Sequence, residues 1–236
     1  MSLTSGRGPL SADPAGRFSP PVPDGLAYIE PFPRRVRAER AGALVVDSEQ
    51  VLLVHRRGNP PAYVFPADAV DGSLAAATEP EPLAPGYVRV AWDAVDAWYE
   101  EREQVFLHPR NPYHRVDLVP TDRRLRVEVA GVVLVDTTDT TGVYETSLPA
   151  LLYVAKAHVA PGVLVASTTT TYCPYKGTAS YWSVVAGGVE VADAAWSYED
   201  PYPACEAIAG MVCFDGTRVS VSAALPVPAP LGPAGG

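Results

Sequence analysis

Cys173 and Lys176 lie close together in the stretch Thr168-Thr169-Thr170-Thr171-Tyr172-Cys173-Pro174-Tyr175-Lys176-Gly177-Thr178-Ala179-Ser180-Tyr181-Trp182. A thiol beside a fixed cation gains thiolate character, which suits it to nucleophilic attack. Pro174 fixes φ directly after the cysteine, and Gly177 frees the backbone directly after the lysine. The threonine run before them and the alternation after them predict two strands, with both side chains displayed at the mouth of a tight turn. Two roles are open to Cys173: a nucleophile assisted by Lys176, or a small residue filling the turn. Lys176 either holds an anionic group or an oxyanion, or pairs with a carboxylate, for which Glu145 at a strand end is the obvious partner. Glu145 is in turn either a general base facing the two or a solvated strand end.

This stretch resembles the signature of a bacterial family catalogued as domain of unknown function 427, whose members carry Cys-Pro-Tyr/Trp-Lys-Gly-Thr-Ala-x-Tyr. Their second block, Ala-Trp-x-Tyr-x-Asp-Pro, is matched by Ala195-Trp196-Ser197-Tyr198-Glu199-Asp200-Pro201. With a diverged repeat, the resemblance covers roughly residues 34 to 222. It implies a fold but no established reaction. The family also carries a nucleotidyltransferase-like label. This chain, however, has neither a Gly-Ser turn followed by an Asp-x-Asp metal pair nor a phosphate-cradling glycine loop. Glu145 matches a glutamate usual in the family. Relatives read Leu-Pro-Pro-Arg-Tyr-Tyr-Leu-Pro-Arg-Glu-Asp-Val where this chain has Leu148 to Val159, so an arginine and a tyrosine are replaced by Leu151 and Leu152 and an aspartate by His158. The departure implies a partly apolar ligand. His158 is either a base for Cys173 or a surface histidine.

Around the signature, Tyr153, Tyr172, Tyr175, Tyr181, Trp196 and Tyr198 are the candidate substrate-binding aromatics, and strand alternation sends half of such residues into the core. His108, Arg110 and His114 belong to the polar run His108–Asp117, which resembles a segment of the family's two-copy members. It either lines a cleft between halves or ties the halves together. Helix and strand patterning places Cys205 and Cys213 in the core, and His55 has no evident companion.

Of the 236 residues 47% are apolar, enough for a sizeable core, and Val, Thr, 25 prolines and 19 glycines favour short strands over helices. A net charge of −9, without a basic patch, argues against nucleic acid as partner. No run has signal-peptide or membrane-span length, so a cytoplasmic protein away from membranes is expected. Three cysteines without Cys-x-x-Cys spacing suggest neither a disulfide framework nor a metal knuckle, and no cofactor is expected. The composition leaves the oligomeric state open.

An internal repeat organises the chain. Shifted by 89 residues, Arg34–Asp47 falls on Arg123–Asp136 with eight identities in fourteen positions, and the shift extends without a gap to Pro112-Tyr113 over Pro201-Tyr202. Cys173 then falls on Ala84 and Lys176 on Tyr87, so the first copy lacks the signature. The expected architecture is all-β and mainly antiparallel: two tandem repeats of about 89 residues, each with one short helix, the second forming a pocket that the first closes. The expected divisions are a disordered lead-in (1–28), a first repeat (29–119), a second repeat (120–223) and a disordered tail (224–236). Hairpins are expected at Gly131, at Gly187-Gly188, at Glu100–Glu103 and at Asp215-Gly216, the last joining Met211–Phe214 to Val219–Ser222. A helix opening at Asp200-Pro201 would bury Cys205, Ile208, Ala209 and Val212 on one face.

The leading functional expectation is a small-molecule enzyme using Cys173, with Lys176 and either Glu145 or His158 assisting. The alternative is a non-catalytic module whose turn recognises a ligand or a protein.

Overall fold

The structure, a computed structural model, describes residues 4, 6–227 and 229; the expectations for the remaining terminal residues fall outside these. The fold is all-β, with every paired strand antiparallel, and divides into two compact units, Met1–His114 and Arg115–Gly236.

In the first unit the strands are β1 (Ala27–Phe32), β2 (Val36–Arg40), β3 (Ala43–Ser48), β4 (Val51–Arg56) and β5 (Ala62–Pro66). They continue as β6 (Thr78–Pro80), β7 (Tyr87–Val90), β8 (Ala97–Glu100) and β9 (Glu103–Val105). One sheet runs β1-β4-β5-β7-β6 and the other β3-β2-β8-β9. Alternation explains the pairing: β2 buries Val36 and Ala38 and turns Arg37 and Glu39 outward. Phe32, Leu53, Tyr63, Phe65, Leu74 and Trp98 fill the core.

The second unit holds β10 (Val116–Thr121), β11 (Leu125–Val129), β12 (Val132–Thr137), β13 (Thr140–Glu145) and β14 (Leu151–Tyr153). The long strands β15 (Leu164–Cys173), β16 (Gly177–Ala186) and β17 (Val189–Ser197) follow, then β18 (Val212–Phe214) and β19 (Ser220–Ala223). They form the sheets β10-β13-β14, β12-β11-β19 and β15-β16-β17-β18. Two buried clusters result: one around Leu125, Val127, Leu134 and Val184, the other around Val143, Tyr153, Tyr198 and Cys205.

Several elements recur at the spacing of 89 residues: β1 with β10, β2 with β11, β3 with β12, β4 with β13, and the 3-10 turn Ala67–Ala69 with Lys156–His158. The bulge at Ala38/Glu39 recurs at Val127/Glu128, and positive φ at Ala41-Gly42 recurs at Ala130-Gly131. The Arg35–Asp47 ion pair recurs as Arg124–Asp136. Further along, the gapless correspondence ends. β8 pairs with β2 in the way β19 pairs with β11, so β8 stands where β19 stands, and the Gly187-Gly188 hairpin has no partner in that register.

Three expectations are corrected. The segment after Asp200 is a 3-10 turn, Pro203–Ile208, and no α-helix forms there. With three residues per turn, Cys205 and Ile208 face inward and Ala209 is exposed. Val212 is buried, but as part of β18. Met211–Phe214 and Val219–Ser222 do not pair with each other: β18 joins β17, while the chain turns through Asp215, whose side chain accepts from Thr217, and sends β19 to β11. His55 has company: it is 1% exposed, its Nε2 lies 2.8 Å from Glu30, and its ring packs against Tyr28 and Tyr113. The hairpins at Gly131, Gly187-Gly188 and Glu100–Glu103 form as expected.

Candidate functional site

The signature is a hairpin connection. β15 ends at Cys173, β16 begins at Gly177, and the two residues are cross-strand partners. Lys176 N–H donates to the Cys173 carbonyl at 3.3 Å, closing a four-residue turn. Gly177 takes φ +100, a conformation that side-chain-bearing residues avoid. The turn is tied to the segment that follows β17: Tyr202 N–H donates to the Lys176 carbonyl (3.1 Å), and Cys205 Sγ donates to the Tyr175 carbonyl (3.6 Å).

Lys176 is not displayed at the mouth of this turn. Its side chain is 8% exposed and forms an ion pair with Glu145, itself 9% exposed, at the end of β13. The proline-fixed turn folds the lysine back over the sheet, because a buried carboxylate and a buried ammonium each require the other. Nζ also lies 5.9 Å from the centre of the Tyr198 ring. Glu145 is the only hydrogen-bond acceptor of Nζ among the described residues, although an ammonium carries three donors.

Cys173 is half-buried and packs against the cluster of Val143, Tyr153, Ala179, Tyr198, Cys205, Ile208 and Cys213. Burial pushes the Tyr198 phenol well up, and the nearby Cys173 and Glu145 add to the shift. Burial raises the Cys205 thiol too, with Lys176 opposing, and it raises the Cys213 thiol strongly. Cys173, Cys205, Lys176, Glu145 and Tyr198 are therefore within electrostatic reach of one another.

The aromatic candidates divide. Tyr153 is 1% exposed and accepts a hydrogen bond from Trp196 Nε1 at 2.8 Å, so it belongs to the core. Burial drives its phenol upward as well. Tyr181 and Trp196 are half-buried with ring centres 6.4 Å apart. The Tyr172 hydroxyl meets that of Tyr202 at 2.9 Å, and Tyr175 is half-buried in the turn itself.

His158 is not joined to Cys173 by any described contact. Its Nε2 lies 3.0 Å from Asp139, and its 3-10 turn packs beside β12. In the first unit, Arg110 forms a bidentate pair with Glu103 (2.8 and 2.6 Å), His108 Nδ1 lies 2.7 Å from the Pro109 carbonyl, and His114 N–H donates to the Asn111 carbonyl.

Two features lay beyond the sequence reasoning. Lys156 reaches Glu199 at 2.5 Å and sits 4.2 Å from the Trp182 ring, while Ser197 links Trp182 to Glu199. The sequence carries one signal for it: Lys156 is one of only two lysines. In the first unit Arg56, 89 residues before Glu145, donates from a single guanidinium nitrogen to both carboxylate oxygens of Glu81, at 2.7 and 2.8 Å, and Glu81 is 4% exposed. Glu81 lies between β6 and β7 and Lys176 between β15 and β16, so each unit joins a strand to a hairpin by an ion pair, with the charges on opposite elements.

Residues 117–224 match the family model of the domain of unknown function DUF427. That span begins in β10, ends just past β19, and includes Glu145, Cys173 and Lys176. No curated protein matches the chain. Among the described residues no helix is long and apolar enough to cross a membrane, and no three His, Cys, Asp or Glu side chains gather as a metal site requires.

Proposed function

We propose that the second unit binds a small, partly apolar molecule against the Cys173–Lys176 turn and acts on it through the Cys173 thiol. One observation carries this reading: of three cysteines, Cys173 alone is more than marginally exposed, and it stands beside the buried Lys176–Glu145 pair. In this role Sγ adds to an electrophilic carbonyl carbon, the C=O π pair moving onto the oxygen and the thiol proton passing to solvent. Lys176 Nζ, held in place by Glu145 with donors to spare, stabilises negative charge on the ligand. Half-buried Tyr181 and Trp196 supply apolar walls. The unit is proposed to be a DUF427 domain, and the first unit a diverged copy of it. The elements recurring at 89 residues support that duplication.

A second reading keeps the ligand and drops the chemistry. It is favoured by the exchanged ion pair of the first unit, which serves there without a cysteine. Alkylation of the native protein with iodoacetamide, followed by peptide mass spectrometry, separates the two. The catalytic reading expects Cys173 to be modified first, with Cys205 and Cys213 protected until unfolding. A Cys173 that stays inert until the chain unfolds ends the nucleophile reading and leaves Lys176 as a binding residue.

A further inference from the structure

The first unit, which has no cysteine, contains a cleft of about 480 Å³. That is within the range of small-molecule sites, roughly 300–1,000 Å³. We propose that this cleft is a binding site in its own right, for a neutral, flat aromatic molecule bearing one hydroxyl or N–H donor.

The aromatic preference comes from Trp92. Trp92 lines the cleft, and its ring stacks on Trp98 at 5.2 Å and 19°, while Trp98 stacks on Phe65 at 5.9 Å and 10°. Trp98 Nε1 donates to the Trp92 carbonyl at 2.9 Å, fixing the backbone as well. A wall held this firmly loses little freedom when a ring lies against it. Pro60, Pro61, Ala62 and Ala77 add small apolar groups to the lining.

The donor preference comes from His108, also in the lining. Its Nδ1 faces the Pro109 carbonyl at 2.7 Å, and a carbonyl can only accept, so Nδ1 carries the proton. Burial holds the imidazole below its ordinary protonation range, which leaves Nε2 as a lone-pair acceptor at neutral pH. Neutrality follows from Arg89 and Glu79, whose charges neutralise each other at 2.5 Å across the rim. Leu107 offers a further sign of occupancy. It lines the cleft at 64% exposure with φ +70, so a strained backbone holds an apolar side chain out in water, where a bound ligand would cover it.

The test titrates the 15N-labelled full-length chain with phenol and with toluene, which has the same shape but no donor, reading the Trp92 and Trp98 indole N–H signals. Phenol is expected to bind at least about fivefold more tightly, the worth of one net hydrogen bond. His108→Phe should erase that preference while toluene still binds. Ala76→Trp, at an exposed lining position, should abolish both with the urea midpoint unchanged. Absence of phenol binding, equal affinity for the two probes, or phenol binding that survives in both variants overturns the proposal.

Discussion

Replacing Lys176 with methionine tests how far the signature is a buried electrostatic device. The substitution keeps the length and apolar stem of the side chain and deletes the charge. Glu145 then keeps 9% of its side chain exposed and loses the Lys176 charge. Removing one partner of a buried pair costs about 3–5 kcal/mol, and the cation–π contact with Tyr198 lies within that figure. With a urea slope of about 1.5 kcal/mol/M, a loss of about 4 kcal/mol lowers the midpoint by about 2.7 M. All three cysteines lie in the second unit, so the urea dependence of Cys213 alkylation reports that unit alone; Cys213 is 2% exposed when folded. The double variant Glu145→Leu/Lys176→Met replaces the pair with apolar groups and should regain at least about 2 kcal/mol of the loss. If the single substitution costs less than about 1 kcal/mol, or the double variant is less stable than the single, the pair is not desolvated and the reasoning fails.

Two other perturbations probe the frame that carries the site. Gly177→Ala places a methyl 3.5 Å from the Asp200 carbonyl, an ordinary contact, so its cost is the backbone at φ +100, about 1–3 kcal/mol in chemical denaturation. An unchanged midpoint would mean that the turn relaxes freely. The Arg124 and Arg126 guanidiniums hold the Asp136 carboxyl at about 2. A carboxyl depressed on folding contributes stability above its unfolded pKa, about 3.9, and loses it as pH falls through the folded value. The melting-temperature gap between the native chain and Asp136→Asn should therefore hold steady from pH 7 to about 5 and close towards pH 2. A gap independent of pH would remove the ion pair as its cause.

What the sequence made legible were features set by neighbours along the chain. Gly131 and Gly187-Gly188 encode their turns through backbone freedom alone, and β11 declares its buried face by alternating Leu125, Val127 and Val129 with Arg126 and Glu128. The pairing of Lys176 with Glu145 is one of the two roles the sequence offers the lysine, since Glu145 closes a strand and is the obvious carboxylate. Less accessible were outcomes decided by long-range partners. Val212 and Ser220 are separated by a tight turn, yet they join different sheets because β17 and β11 each offer an unpaired edge. Cys205 and Val212 fit helical spacing, but too few residues separate Pro203 from β18 for an α-helix to gain cooperativity. The burial of Lys176 was hidden for a similar reason: a tight turn between strands reads as exposed unless the segment that covers it, here Asp200 to Cys205, is known to return.

The exchanged ion pairs bear on which part of the signature does chemistry. If the two units descend from one, each keeps an ion pair between a strand and a hairpin with the charges on opposite elements, although Glu81 falls on Thr170 in the 89-residue register and Arg56 is 31% exposed. Arg56–Glu81 and Glu145–Lys176 would then be alternative solutions to one packing problem. A cysteine cannot be exchanged in this way, because no other side chain supplies a thiol. On the proposed duplication, Cys173 is therefore the signature residue whose identity packing explains least. It follows that Cys173→Ser, which removes little volume from a half-buried position, should change stability by less than about 1 kcal/mol while abolishing any turnover the second unit performs. Lys176→Met should lose both, because on the proposed reading the same ammonium pairs with Glu145 and stabilises charge on the ligand. If Cys173→Ser instead lowers the unfolding midpoint as much as Lys176→Met, the thiol is a packing element, and both copies are scaffolds for binding alone.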